Sequence, residues 1–443
     1  MSNQAIKNLL LTIVGAALFT LPAFYNGYPF VTSDTGAYID SGFRFCLPRD
    51  RPVFYGIFLR LFSFNFSFWI PIIIQGLLLS FLLLQLCKNL LLGGGYQLII
   101  LLVIGVFTSA GWFSCQIMPD IFTSLLFLAA INYHFEKSFS RKVVLLCITA
   151  LSILVHNSNL AIAIVFFLLL GGTSVFVKTS FINPGRTIHL LLLVIFCWIT
   201  QSTLNWVNGY GFTPNRSTHV FLMGKLVENG IAKKYLEENC TTNHYQLCNY
   251  KDQLYGHAWD FVWSPESPLY KTGGWDSSKT EYEKIIYATL TTPKYLVLNV
   301  KESIRATRQQ LVLCGIGDGL WSYLEDSSPY NNICGHLHRE FPRYVKSKQN
   351  IVGYPFDLLN RYYLYSCLTI VLLFLCSWII SRTIEGDLLL LLLASVIFVL
   401  INAFVTASLA NVLTRLNARD IFLIPATCFI VSCFVSKKSY AVR

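Results

Sequence analysis

Long apolar runs separated by short polar breaks fill both ends of this chain, and a polar stretch lies between them. A helix that crosses about 30 Å of hydrocarbon at 1.5 Å per residue needs roughly 20 mainly apolar residues. That pattern predicts spans from about Leu9 to Tyr28, Phe68 to Leu86, Gln97 to Phe113, Ile121 to Phe135 and Val143 to Val155. It predicts others from Leu160 to Val177, His189 to Val207, Tyr362 to Ile380, Leu388 to Ser408 and Ile421 to Val435. The fourth and fifth are short, so the expectation is about ten spans, nine to eleven. The first run, headed by Lys7, is long and ends in bulky Tyr25-Asn26-Gly27-Tyr28 instead of a small-residue cleavage site, so it is expected to be a retained helix.

Two stretches break the rhythm. In residues 29–66, Val53 to Phe62 is apolar with a single Arg60 and too short to span, which predicts a helix lying in the membrane interface. Residues 206–360 have helical apolar spacing over 220–238 and 280–310, with turn-rich Ser264-Pro265-Glu266-Ser267-Pro268 between. The expected fold class is an all-α polytopic membrane protein with an interfacial first loop and one large external mixed or helical domain. The expected division is an N-terminal bundle (1–205), the external domain (206–360) and C-terminal helices (361–443).

Composition agrees. Of 443 residues, 54% are hydrophobic and 13% charged, against about 25% charged in a soluble domain. Disorder, a coiled coil and an ordinary cytosolic enzyme are excluded. The net charge of +11 is not a nucleic-acid footprint, because of where it sits. The short connections 1–8, 86–97, 134–143, 178–188, 381–388 and the tail from Ser436 hold eleven Lys/Arg and three acids, whereas 206–360 holds sixteen Lys/Arg and fifteen acids. Short loops set orientation. The expectation is both termini cytoplasmic and the 29–66 and 206–360 segments outside, in a bacterial inner membrane.

Of the thirteen cysteines, Cys240, Cys248, Cys314 and Cys334 fall in the external segment. Four cysteines in an oxidising compartment suggest two disulfides, by sequence proximity Cys240–Cys248 and Cys314–Cys334, with two other pairings open.

Ionisable groups at the outer ends of spans carry the candidate chemistry. Asp34 and Asp40 lie in Ser33-Asp34-Thr35-Gly36-Ala37-Tyr38-Ile39-Asp40, followed by Arg49 and Arg51. Asp120 ends the turn Met118-Pro119-Asp120, His156 opens His156-Asn157-Ser158-Asn159, and Arg415 and Arg419 precede the last span. Each acid also reads as a helix cap, and His156 as a polar reversal. Two arginines four apart share one helix face and suit a phosphate or diphosphate. Together these groups are what an enzyme with a lipid-linked phosphate donor requires: a carboxylate base for the acceptor hydroxyl and guanidiniums for the leaving phosphate.

On these residues the chain resembles the GT-C superfamily of integral-membrane glycosyltransferases, of the protein-mannosyltransferase or aminoarabinose-transferase kind. The resemblance rests on Ser33-Asp34-Thr35-Gly36-Ala37-Tyr38, on Pro119-Asp120 and on Arg419-Asp420-Ile421-Phe422-Leu423-Ile424-Pro425. It covers the membrane scaffold, 1–205 and 360–435, and not 206–360. It implies transfer of a hexose or pentose from a polyprenyl-phosphate donor to a glycan, lipid or protein acceptor. Asp34 would be the base, Asp120 a supporting acid, and Arg51, Arg415 and Arg419 the donor-phosphate ligands. Tyr38, Asp40, His156, Trp263 and Trp275 are expected substrate contacts, the tryptophans because aromatic faces suit sugars. No adjacent acidic pair flanks Asp34, so a divalent cation, Mg or Mn, stays open. An O-antigen ligase or polymerase would instead use Arg305, Arg308, His336, His338 and Arg339; a transporter or flippase would carry mid-span charges and related halves.

Overall fold

The computed structural model describes residues 3–176, 182–381 and 386–442. Val177 at the end of the sixth expected span, and Lys178, Arg382, Glu385 and Arg443 of the loop-charge argument, lie outside the described residues. The described chain is helical, with no strand beyond one isolated bridge between Phe30 and Gln116. The architecture is that of a helical polytopic membrane protein.

The first half runs α1 (Asn3–Asn26), α2 (Thr35–Arg44), α3 (Phe54–Ser63), α4 (Trp69–Asn89), α5 (Gly94–Phe107), α6 (Ala110–Ser114), α7 (Ile121–Phe135), α8 (Phe139–Leu154), α9 (Asn157–Phe176) and α10 (Pro184–Val207). Among the described residues seven helices are long and apolar enough to cross a membrane: Asn3–Asn26, Trp69–Asn89, Asn157–Ser174, Pro184–Val207, Phe356–Ile379, Gly386–Leu409 and Thr414–Lys438. The other three expected spans are shorter helices. The run from Gln97 to Phe113 is cut at Thr108, whose backbone is extended (φ −131°, ψ 167°). Its hydroxyl donates to Ile104 O and accepts from Ala110 N, supplying the bonds that the helix gives up. α7, of 15 residues, is buried from Ile121 to His134. It is apolar on every face because protein surrounds it, which mimics a lipid-facing run.

α2 and α3 form a tight pair in the first loop. A Cβ on Gly42 would sit 2.0 Å from the Gly56 carbonyl oxygen, and one on Gly56 2.3 Å from Ser41 Oγ. Only glycines permit this crossing, and both Asp34, just before α2, and Arg51, between the helices, depend on it. Gly42→Ala is expected to destabilise the protein by about 1–3 kcal/mol through overpacking. Thermal unfolding in detergent checks this against Gly95→Ala, where a Cβ meets nothing within 4 Å; equal melting of the two variants would remove the explanation.

The polar middle of the chain contributes to two separate cores. Here run α11 (Thr218–Glu228), α12 (Ile231–Asn239), α13 (Ala258–Trp263), α14 (Pro268–Lys271), α15 (Gly274–Ser277), α16 (Lys279–Thr291) and α17 (Pro293–Val312). Gly230 (φ 69°) splits the first predicted helical stretch, and Thr292-Pro293 splits the second. Val220, Met223, Leu236, Phe261, Trp275, Tyr282 and Ile285 make a satellite core of their own. By contrast Ile316, Leu320, Tyr323, Ile333, Leu337 and Tyr344 join the core of the membrane bundle. Ile333 lies on α18 (Ser328–His336) and Tyr344 on α19 (Phe341–Val345), which α20 (Lys348–Ile351) follows. Glu340 clamps this part to the bundle, accepting from Tyr28 Oη (3.1 Å), Ser67 Oγ (2.5 Å) and Phe68 N (3.1 Å). The chain closes with α21 (Phe356–Ser381), α22 (Gly386–Leu409), α23 (Thr414–Ala418) and α24 (Leu423–Val442).

Cys240 and Cys248 form a disulfide. Cys314 and Cys334 do not, contrary to expectation: both thiols are free. Cys334 lies on α18, which docks on α2, whereas Cys314 lies next to Gly315 and Ile316, which abut Asn360 of α21. Sequence proximity does not bring their Cβ atoms together, as a disulfide requires.

Candidate active site

The segment leaving α1 is held at its backbone. Gln349 accepts from Val31 N (3.1 Å) and donates to Val31 O (2.7 Å) and Trp321 O (3.0 Å). Phe30 N donates to Cys115 O (3.0 Å) and Ile117 N to Phe30 O (2.9 Å). From within α4, the Gln75 amide donates to Ser114 O (2.9 Å) and Gln116 O (3.1 Å) and accepts from Tyr55 Oη (2.8 Å). The chain before Asp34 is thereby fixed against the turn that ends in Asp120.

Asp34 precedes α2 and Asp120 precedes α7, yet neither side chain caps its helix. Both carboxylates go to guanidiniums instead. Asp34 Oδ1 accepts from Arg51 Nη2 (3.1 Å) and Oδ2 from Arg415 Nη2 (2.7 Å). Arg51 also binds Asp50 (2.5 Å) and lies over the Tyr38 ring at 5.0 Å. Asp120 Oδ1 accepts from Arg419 Nη1 (3.1 Å). Arg419 further meets His156 Nε2 (3.0 Å), Ser158 Oγ (3.0 Å) and Asn402 Oδ1 (2.9 Å). One turn, with Arg419 N donating to Arg415 O, thus gives each acid its own arginine.

Access separates the two pairs. The side chains of Asp34, Arg51 and Arg415 are 20%, 13% and 16% exposed, whereas Asp120 and Arg419 are 1% and 0% exposed. Arg419 is therefore corrected from a phosphate ligand to a buried organiser, since its bonds all point inward. Arg415 is positioned by the polar middle of the chain: Asp318 accepts from Arg415 N (3.0 Å), and the Gln310 amide of α17 donates to Leu413 O (2.7 Å) and accepts from Leu413 N (3.0 Å).

The accessible pair opens into a cavity of about 470 Å³. Its polar end is Asp34, Asp50, Arg51, His156 and Arg415, with Tyr38 and Ser158 beside them. Leu160 and Ile164 of α9, Trp198 of α10 and Val405 and Leu409 of α22 form one apolar wall. Phe221 of α11 and Trp259 and Trp263 of α13 form another. Two expected contacts are elsewhere. Asp40 pairs with Arg44 (2.9 Å) and faces His336 (3.9 Å). Trp275 is buried in the satellite core, where its Nε1 donates to Tyr270 Oη. None of Arg305, Arg308, His336, His338 and Arg339 lines the cavity.

These residues do not fit a divalent cation. Both Asp34 oxygens are already taken by guanidiniums, Asp50 shares Arg51, and among the described residues no group of three or more His, Cys, Asp and Glu is placed to hold a metal.

Burial pushes the Asp34 carboxyl up, but Arg51 and Arg415 outweigh it and hold the group well below the usual carboxylate range. His156 is kept well below its ordinary value by burial and then by the Arg419 charge. Geometry agrees, since Arg419 only donates and Nε2 must accept. A histidine held neutral takes up a proton on unfolding below about pH 6.5, so its contribution to stability declines as pH falls through that range. Thermal unfolding from pH 8 to 5 is expected to show a slope reduced by about one proton in His156→Gln; an unchanged slope would contradict the neutral assignment.

Sequence reasoning missed Asp50, Ser158, Asn402, Gln310, Asp318, Phe221 and Trp259. Ser158 stood inside the polar reversal already singled out, and Asn402 was legible as an amide in mid-span. Asp50 stood beside Arg51 in the first loop, whereas Gln310, Asp318, Phe221 and Trp259 reach the site only through tertiary packing. Neither family models, nor curated proteins, nor solved structures give a match to this chain.

Proposed function

We propose that the protein is an integral-membrane glycosyltransferase that moves a sugar from a polyprenyl-phosphate donor to a hydroxyl acceptor. One observation carries this reading: a single cavity joins an acid–arginine cluster to an apolar wall built from the membrane helices α9, α10 and α22. An amphiphile with an anionic head and a long apolar tail has that division of chemistry. By the positive-inside argument the cavity faces outward, with both termini cytoplasmic.

The steps follow from the groups present. The donor phosphate competes with Asp34 for Arg415 and Arg51, and loss of either guanidinium raises the basicity of the carboxylate. The acceptor oxygen attacks the anomeric carbon and its proton passes to Asp34. The bond from that carbon to the phosphate oxygen breaks, and the two arginines stabilise the charge on the departing polyprenyl phosphate. The site is thus inert until a phosphate enters.

Full-length protein in nanodiscs, given a panel of radiolabelled undecaprenyl-phosphate hexoses and pentoses with a membrane extract as acceptor source, is expected to release undecaprenyl phosphate. Absence of release across the panel, with no binding of undecaprenyl phosphate, would overturn the reading.

A further inference from the structure

The aromatic wall of the cavity belongs to the satellite core and not to the membrane helices. Trp259 and Trp263 are one turn apart on α13 and so share a face, with ring centroids 5.7 Å apart. Trp263 is backed by Trp275 at 5.5 Å, and Trp275 in turn by Phe221 at 5.9 Å. The stack is therefore anchored in a packed core, while the Trp259 indole remains 49% exposed. Asn215 and Thr218 line the same cavity.

One atom distinguishes the occupants. Trp263 Nε1–H is sealed from solvent and has no acceptor among the described residues. An unmet buried donor is unfavourable, and a turn of the indole towards the cavity that Trp263 lines would let it meet an incoming acceptor. A hydrocarbon tail offers no acceptor, and α9, α10 and α22 already supply an apolar wall for one. A sugar ring offers both an apolar C–H face for the indoles and hydroxyl oxygens for the N–H.

We infer that Trp259 and Trp263 form the acceptor subsite and that the acceptor is a saccharide. The inference rests on the transferase reading for the word acceptor; carbohydrate binding at this wall stands independently of it. The chain would then extend a glycan whose terminal ring stacks on the indoles and turns one hydroxyl towards Asp34.

The test uses full-length protein in phosphatidylethanolamine–phosphatidylglycerol nanodiscs, applied to an array of immobilised oligosaccharides. Wild-type protein is expected to be retained by at least one oligosaccharide class. Trp259→Ala and Trp263→Phe are each expected to weaken retention by about tenfold. Trp263→Phe keeps an aromatic face and removes the N–H together with part of the ring area. Trp206→Ala, exposed and outside the cavity, is the control expected to match wild type. Failure of the wild type to bind any glycan, or retention undiminished in both cavity variants, would overturn the proposal. So would loss of undecaprenyl phosphate in place of glycan, which would make this a wall for lipid. Binding of undecaprenyl phosphate to the wild type is measured separately: its absence sinks the transferase reading and leaves glycan retention to be judged alone.

Discussion

Asp34→Asn is expected to lower sugar transfer by about 10²–10⁴-fold, the usual contribution of a positioned general base, while the protein still folds. The amide has nearly the shape of the carboxylate and keeps one oxygen for one of the two guanidiniums; it lacks the basic oxygen that would take the acceptor proton. Asp34 is partly exposed, so the freed guanidinium can turn to water. The pairing energy has a defined pH window. A carboxyl held below its usual range contributes stability that is complete above about pH 4 and is lost only as acid reaches its lowered value. The stability difference between wild type and Asp34→Asn is therefore expected to be flat from pH 5 to 9. Transfer assayed beside thermal unfolding decides the matter: full activity in the variant removes the base assignment, and loss of both activity and fold reduces Asp34 to a structural ion.

Arg419→Lys is expected to cost about 1–3 kcal/mol of stability, because it keeps the charge but leaves buried acceptors of the guanidinium unmet. Arg419 is fully buried and meets Asp120, His156, Ser158 and Asn402 in a planar fan. An ammonium has three donors on a point charge and does not reproduce that fan. His156, Ser158 and Asn402 would then compete for the donors left after Asp120 is paired. A paired replacement separates charge from shape: Asp120→Leu with Arg419→Met removes both ions, and buried pairs so replaced are often neutral in stability. The double variant is expected to survive detergent extraction better than Arg419→Lys. Equal size-exclusion profiles for wild type and Arg419→Lys would show that the network is dispensable.

The sequence made the helical, membrane-embedded class legible because lipid leaves few alternatives to an apolar helix. Apolar pattern alone did not separate lipid from protein surroundings: α7 covers the expected 121–135 stretch, and its residues from Ile121 to His134 are buried in protein. Asp34, Asp120, Arg415 and Arg419 were identifiable as ionisable groups beside spans, since such groups are costly to place there. Their pairing was not legible. It depends on the bridge at Phe30, on Gln75 inside α4 and on the Gly42–Gly56 crossing, which join residues distant along the chain. For the same reason Trp275, the more conspicuous indole in its turn-rich motif, proved to be backing for Trp263, and the quieter Trp259 reaches the cavity.

The Gln310 amide grips both backbone groups of Leu413, two residues before Arg415, while Asp318 holds the Arg415 N–H. This sets a limit on modular exchange. A satellite core transplanted from another chain would leave the Arg415 loop without its splint unless residues 310–318 and 413–415 travel as one cassette. Substitutions on the cavity face of α11 and α13 would leave that grip untouched. The aromatic wall of the cavity and the hold on Arg415 thus rest on different parts of the polar segment, the first on the satellite core and the second on residues 310–318.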